Sequence, residues 1–410
     1  MSLQTKCFCN IYIIDNMDFW ESLRLEKYSL STDLVLTYDL ELYKYIESIG
    51  GCVEYIDHLV DTDTMESNNY RIYDYFAKWH LDENGKDLIS HKDVDFGFSF
   101  RLDFWNDYTT FARLFLSVLY ISHLNYDKLF SCKNDKVIKI LKTINIDFQL
   151  LDTHGTIRNG LYFPIDKWMD EAIRPSGFRR VLFKAREIVV RYFGHIKLAQ
   201  DKLFPSNKKI VFYQAYNPTY SLIDTALSKG KYRVLLENFS KHGLFVNKFK
   251  QRTIPVTSSL DGLQDVSEKI MLKVKKGAQH KLKVLFNNKE FDITDSINEI
   301  IFERVSQAMV NKLRLLESAT SYLNVNHIDL LVLIANIGGL STIFDLACKS
   351  KGIPSYMIIN GLLLNNYMDD AKFATYINSY STSIRDNYFR GMDNVMALGD
   401  PRMDNYPAHQ

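Results

Sequence analysis

The run Leu330-Leu331-Val332-Leu333-Ile334, followed at once by Asn336-Ile337-Gly338-Gly339, constrains this chain more than any other feature. A continuous apolar run of strand length needs cover on both faces, and sheets covered on both faces are parallel sheets flanked by helices. The glycines break the run. Thr342 and Asp345 have the spacing of a capping box and predict a helix opening there. Lys349 and Lys351 sit in its expected last turn, Gly352 stops it and Pro354 lies beyond. Ser355 to Ile359 is the next expected strand. The whole is a strand-helix-strand unit, and open parallel sheets bind ligands at the carboxyl ends of such strands.

The same alternation recurs along the chain. Strands are expected at Cys7 to Ile14, Asp33 to Thr37, Cys52 to Ile56, Lys128 to Cys132 and Ile146 to Leu150, with helices at Leu40 to Ser48 and Asp135 to Thr143. A Tyr-rich and Asp-rich insertion, Asp57 to Asp95, precedes a strong helix at Asp103 to Leu124. Beyond it, Lys208 to Tyr213 and Tyr232 to Leu236 read as strands around a helix at Tyr220 to Ser228. A basic stretch, Lys241 to Lys283, leads to a long helix at Ser296 to Leu323. The expected architecture is α/β, with an N-terminal domain over 1–152, a connecting loop and basic helix over 153–205, and a second α/β domain over 206–410. Pro175 suits the first turn of the connecting helix, which carries Arg179, Arg180, Lys184, Arg186 and Arg191. That face is either simply solvated or meets phosphate, lipid headgroups or an acidic glycan.

Composition narrows the function classes. Hydrophobic residues make up 46% and charged residues 24%, as in a protein with true cores, and the net charge of +1 supplies no field for nucleic acid. The five cysteines, Cys7, Cys9, Cys52, Cys132 and Cys348, lack metal-ligand spacing and read as buried thiols of a reducing compartment. No secretory leader is read at the start, and the apolar stretch Phe111 to Ile121 is too short to span a bilayer. The expected location is cytoplasmic, with peripheral membrane contact allowed.

Four stretches carry candidate chemistry. Gly338, Gly339, Ser341 and Thr342 combine a glycine bend with a helix N-terminus, which suits a phosphate or carboxylate; a tight turn with a capping hydroxyl is the plain alternative. Asn360-Gly361 follows the next strand, where an amide can hold a sugar hydroxyl or merely form a turn. Ser379 and Ser381 belong to a hydroxyl cluster, Asn378 to Ser383, that opens a helix expected to end near Gly391. In Gly399-Asp400-Pro401-Arg402-Met403-Asp404, Arg402 has the geometry to clamp a phosphate, against a surface ion pair as the simpler reading. No Asp-x-Asp element suggests a metal, and no cofactor is expected.

This order of strand, Gly-Gly-x-Ser-Thr helix, strand, Asn360-Gly361 loop, serine-rich helix start, strand and Gly399-Asp400-Pro401-Arg402-Met403-Asp404 resembles bacterial glycosyltransferases that build surface polysaccharides. It is similar in layout to the CDP-glycerol polymer transferases, in which a His-Gly pair stands where Asn360-Gly361 stands here. It also resembles retaining β-Kdo transferase modules that use CMP-Kdo for capsule or lipopolysaccharide O-antigen synthesis. The likeness lies mainly over residues 205–404. It implies two Rossmann-like domains of the GT-B-like type, a nucleotide-sugar donor and a glycan or glycolipid acceptor. Departure of the nucleotide phosphate would be stabilised by Ser341, Thr342, Ser379, Ser381 and Arg402. A carboxylate nucleophile is implied as well. No motif aligns it, so Asp224, Glu237, Asp152 and His154 are the candidates. Asn360 departs from the glycerol-phosphate pattern, and the chain stops at Gln410 soon after an element that opens the nucleotide domain in that family. A truncated module and a complete two-domain cleft are both expectations. CDP-glycerol or CDP-ribitol transfer is the alternative donor chemistry. A non-catalytic module that binds glycan or scaffolds other polysaccharide-synthesis enzymes is the alternative class.

Overall fold

The computed structural model describes residues 6–151 apart from 27 and 133, then 209–215, 220–228, 233–239, 262–334 apart from 326, 339–359 and 373–401, with isolated positions 3, 181, 185 and 403. It is a mixed α/β protein with parallel sheets. The chain divides into two compact units, each gathered from three segments. The first comprises 1–76, 105–176 and 281–301; the second comprises 77–104, 177–280 and 302–410.

In the first unit, β1 (Cys7–Ile13) pairs in parallel with β2 (Asp33–Thr37) on one side and β6 (Asn125–Ser131) on the other. The outer strands are β3 (Val53–Tyr55) and β7 (Gln149–Leu150), giving the order β3-β2-β1-β6-β7. The chain thus builds outward from β1 in one direction and then returns to build in the other. Helices α1 (Met17–Glu26), α2 (Leu40–Ser48) and α5 (Asp135–Thr143) form the crossovers. Asp39 caps α2 and Asn134 caps α5, each side chain accepting from two backbone amides. A core of Tyr12, Ile14, Trp20, Val35, Leu42, Ile46 and Leu151 binds helices to sheet. The hairpin β10 (Lys283–Phe286) and β11 (Lys289–Asp292) joins this unit. Its two-residue turn has Asn287 and Asn288 at φ +48 and +62, values that asparagine tolerates better than most residues.

In the second unit, six parallel strands run in the order β15-β14-β13-β12-β8-β9. They are β8 (Lys209–Ala215), β9 (Arg233–Phe239), β12 (Leu330–Ile334), β13 (Ser355–Ile358), β14 (Tyr376–Ser379) and β15 (Val395–Ala397). Helix α6 (Tyr220–Ser228) follows β8, α9 (Gly339–Lys349) follows β12 and α10 (Thr382–Asn387) follows β14. The apolar run Leu330–Ile334 is β12, an inner strand flanked by β13 and β8. Strand order reverses between β8 and β12. A hairpin of β4 (Ser90–His91) and β5 (Val94–Asp95) precedes a 3-10 turn, Gly97–Phe100. The remaining helices are α3 (Thr62–Lys78), α4 (Arg101–Ile121), α7 (Leu263–Gly277) and α8 (Thr294–Val325).

Several expectations are corrected. The stretch read as an irregular insertion holds α3, whose apolar residues Ile72, Tyr75 and Phe76 are buried at helical spacing. Its many polar positions face outward and dilute the period in the sequence. The strand expected from Ile146 is confined to Gln149–Leu150, because Asn145 turns the chain at φ +54 after α5. Thr342 does not cap α9: the helix opens at Gly339, so Thr342 already lies in its first turn. Helix α10 stops at Asn387, short of the expected Gly391. Of the five cysteines, Cys132 and Cys348 are buried, whereas Cys7 and Cys9 share an exposed face at the start of β1 and Cys52 is half-buried. The expected connecting helix, Pro175 to Leu203, lies almost wholly outside the described residues. No helix among the described residues is long and apolar enough to cross a membrane.

Candidate functional site

The carboxyl ends of β12, β14 and β15 lie along one edge of the second unit's sheet. After β12, α9 opens at Gly339, and Ser341 and Thr342 lie buried in its first turn. Arg101, 5% exposed, reaches the same turn: its Nη1 donates to Thr342 Oγ1 at 3.4 Å. The guanidinium lies 4.3 Å from the ring centre of Phe98 and 5.3 Å from that of Phe373. The cation rests on both rings, whose own centres lie 5.5 Å apart.

Behind it stands Lys312 of α8. Its ammonium donates to the Ser99 carbonyl at 2.8 Å, pairs with Asp103 at 2.7 Å and sits 4.9 Å from the centre of Phe100. Burial lowers the Lys312 pKa; the Asp103 charge opposes this and the Arg101 charge reinforces it. Further along α9, Asp345 is fully buried. Burial raises its pKa, opposed by the Lys349 ammonium at 3.1 Å. Lys349 also donates to the Phe373 carbonyl, so Phe373 is fixed by a backbone bond and a ring contact.

The other two strand ends are closed by side chains acting locally. Ser379 Oγ donates to the Ser381 carbonyl at 2.7 Å, and Ser381 Oγ accepts from Ile384 N at 3.1 Å as the cap of α10. The buried Asn378 donates to the Gly399 carbonyl at 3.0 Å and accepts from Leu398 N at 3.1 Å. Ser221 of α6 donates to the Pro401 carbonyl at 3.3 Å. The Gly399-Asp400-Pro401 turn is therefore anchored to both β14 and α6. Gly399 has φ +87, a conformation that favours glycine.

Among the residues singled out from sequence, Gly339, Ser341, Thr342, Ser379 and Ser381 thus stand at this edge, with Thr342, Ser379 and Ser381 each engaged in the hydrogen bonds above. Asp224 lies in α6 and Glu237 in β9, with side chains outside the described residues. Asp152, His154, Gly338, Asn360, Gly361 and Arg402 lie outside the described residues altogether. Arg101, Lys312 and Asp345 escaped the sequence reading as functional candidates. Arg101 precedes Thr342 by 241 positions, and only its place within Phe98-Ser99-Phe100-Arg101 hinted at a ring-stacked cation.

The first unit has its own polar focus where strand order reverses. Ile13 of β1 pairs with Ser131 of β6, and the residues just beyond them converge. Cys132 Sγ donates to Asp15 Oδ2 at 3.4 Å, and Asn16 Nδ2 donates to Asp15 Oδ1 at 2.8 Å. Asn16 Oδ1 accepts from Phe19 N at 3.0 Å, and Asn134 caps α5. Burial and the Asp15 charge push the Cys132 thiol well above its ordinary value, which makes it a hydrogen-bond donor rather than a thiolate nucleophile. Among the described residues, no three acidic, histidine or cysteine side chains group to hold a metal ion. Neither a protein-family model nor a curated protein matches the chain.

Proposed function

We propose that this protein is a glycosyltransferase of bacterial surface-polysaccharide synthesis that takes its sugar from a nucleotide donor. The observation that carries the reading is the reversal of strand order between β8 and β12. In open parallel sheets such a reversal leaves a crevice at the carboxyl edge, and nucleotides bind there with a phosphate against a helix N-terminus. Here the helix is α9, which opens at Gly339. The first unit, ordered β3-β2-β1-β6-β7, has the strand order of a Rossmann-like lobe, so a GT-B-like pair of lobes is the architecture proposed.

In the proposed reaction the donor's anomeric C–O bond breaks and its electron pair leaves on the nucleotide phosphate. The acceptor hydroxyl oxygen takes the sugar, and its proton passes to a protein base. The fixed amides of α9 favour the charge gathering on the departing phosphate. Asp224, Glu237, Asp152 and His154 are the candidates for nucleophile and base, and Arg402 for a second phosphate contact. CMP-Kdo is the donor favoured by the resemblance, with CDP-glycerol or CDP-ribitol next, and the acceptor is a glycan or glycolipid at the cytoplasmic face of the membrane.

A second reading has its own support. The hydroxyls of Ser379 and Ser381 are engaged at the capped start of α10, as they would be in a glycan-binding or scaffolding module without catalysis. Turnover of CMP-Kdo, CDP-glycerol, CDP-ribitol and common UDP-sugars, read as nucleotide release with an acceptor glycan present, separates the two. Release of one nucleotide supports the transferase. Silence with every donor, alongside binding of the glycan, supports the module.

A further inference from the structure

We propose that the exposed face of α7 is a docking surface for the anionic lipid headgroups of a membrane. This goes beyond the transferase reading and does not rest on it.

Helix α7 is two-sided. Leu263, Ile270, Met271 and Val274 are buried, at the spacing that turns one face inward. Lys269, Leu272, Lys273, Lys275 and Lys276 are exposed. Each residue turns the helix by about 100°. Lys269, Leu272, Lys273 and Lys276 therefore share one stripe, with Lys275 on the other flank of Leu272. Among the described residues none of these four lysines forms an ion pair, whereas Lys92, Lys136, Lys139, Lys281 and Lys283 each hold a carboxylate. Asp95 feels the Lys273 charge without pairing with it. The acids of the helix, Asp265 and Glu268, precede all four lysines, and Glu268 accepts from Gln264 Nε2 at 3.0 Å.

The plain alternative is a set of lysines that answers the negative end of the helix dipole. It accounts for Lys275 and Lys276 in the last turn. The dipole's effect fades within that turn, and Lys269 and Lys273 come before it. Leu272, 54% exposed, stands among the lysines. Water gives that side chain no contact. A bilayer gives it the acyl boundary, while the lysines extend along their stems to the lipid phosphates. A nucleic-acid backbone would meet the same charges, but α7 has no aromatic ring or arginine on which a base could stack. The apolar centre of the stripe favours lipid.

The test uses the full chain and vesicles of phosphatidylcholine with and without phosphatidylglycerol. Sedimentation should capture the parent on the anionic vesicles alone, and less of it as salt rises. The triple variant Lys269→Gln, Lys273→Gln, Lys276→Gln should bind about a hundredfold more weakly, at about fivefold per lysine. Leu272→Gln should weaken binding at low and high salt alike, because its contribution is apolar. A second triple variant, Lys44→Gln, Lys128→Gln, Lys142→Gln, removes the same charge from exposed positions of the first unit and should bind as the parent does. Equal losses in the two triple variants, or no capture of the parent by anionic vesicles, overturn the proposal. So does capture of a single-stranded oligonucleotide through Lys269, Lys273 and Lys276 without capture of vesicles. A parent that releases nucleotide from a donor yet ignores anionic vesicles loses this surface alone. Vesicle binding that depends on α7, with no donor turned over, keeps the surface and removes the transferase.

Discussion

Single side chains in this protein mostly act by completing backbone hydrogen bonds, and Asp61 shows how that choice couples to pH. It precedes α3, and its carboxylate accepts from Thr64 N at 2.8 Å and from Thr64 Oγ1 at 2.7 Å. Those bonds hold its pKa below the ordinary aspartate value, the Thr64 backbone bond contributing most. An acid with a depressed folded-state pKa adds stability above its unfolded value, about 4, and that increment drains away as pH falls through the folded value. Solvent screening at this exposed site trims the electrostatic share. Asp61→Ala should therefore cost about 1 kcal/mol at pH 7, in line with the loss of a helix cap. In denaturant melts the difference from the parent should shrink as pH falls below about 4. A gap that stays constant across that range would show that the charged form contributes nothing. Cys132 illustrates the opposite restraint. With its thiol raised well above the usual range by burial and Asp15, alkylation of the folded protein at pH 8 should be confined to the exposed thiols Cys7 and Cys9, with Cys52 slower. Mass mapping of modified Cys132 under native conditions would contradict this.

Elements were legible in the sequence where period and punctuation agreed. Strands Asp33–Thr37 and Leu330–Ile334 and helices Leu40–Ser48, Asp135–Thr143 and Tyr220–Ser228 fall where the apolar pattern and the caps place them. Helix α3 was hidden because its solvent face is so polar that the buried Ile72, Tyr75 and Phe76 read as scattered. The start of α9 was misread for a subtler reason. Thr342 and Asp345 have capping spacing, yet both are buried and engaged elsewhere, Thr342 with Arg101 and Asp345 with Lys349. The candidate site was visible as a set of turns but not as a set of contacts. Asn378, read only as part of a hydroxyl-rich helix start, is what fastens the end of β14 to the Gly399 turn through both faces of its amide. Asn378→Ala would leave Leu398 N–H and the Gly399 carbonyl without that partner, at a cost of about 1–3 kcal/mol. Urea unfolding should show a lower midpoint with an unchanged slope. An unaltered midpoint would mean that β15 holds the turn without help.

At the scale of the whole chain, the order of segments in sequence and the membership of compact units differ, and this has a direct consequence for how the protein can be cut. Sequence punctuation suggests ending the first domain near residue 152, yet the first unit also contains 281–301. Those residues bring the β10–β11 hairpin to α3. Asn68 donates to the Leu285 carbonyl at 2.7 Å and accepts from Leu285 N at 2.6 Å, while Arg71 pairs with Glu290 at 2.9 Å. Tyr75 donates to Asn298, and Phe286, Ile293 and Ile297 are buried. A fragment covering 1–152 keeps the Asn68 bond to the Thr64 carbonyl but loses both bonds to Leu285 and the apolar cover of Phe286, Ile293 and Ile297. The second unit is affected in the same way by a cut at 206. Lys312 takes its carboxylate from Asp103 and its carbonyl from Ser99, and a fragment covering 206–410 would keep the lysine without either. The cut removes that ion pair, the carbonyl bond and the Phe100 ring together, and exposes the part of α8 that they cover. Both fragments should therefore lack a cooperative thermal transition by circular dichroism, whereas the intact chain should show one. A sharp melt from the unmodified 206–410 fragment would show that residues 77–104 are an addition to that unit rather than a part of it.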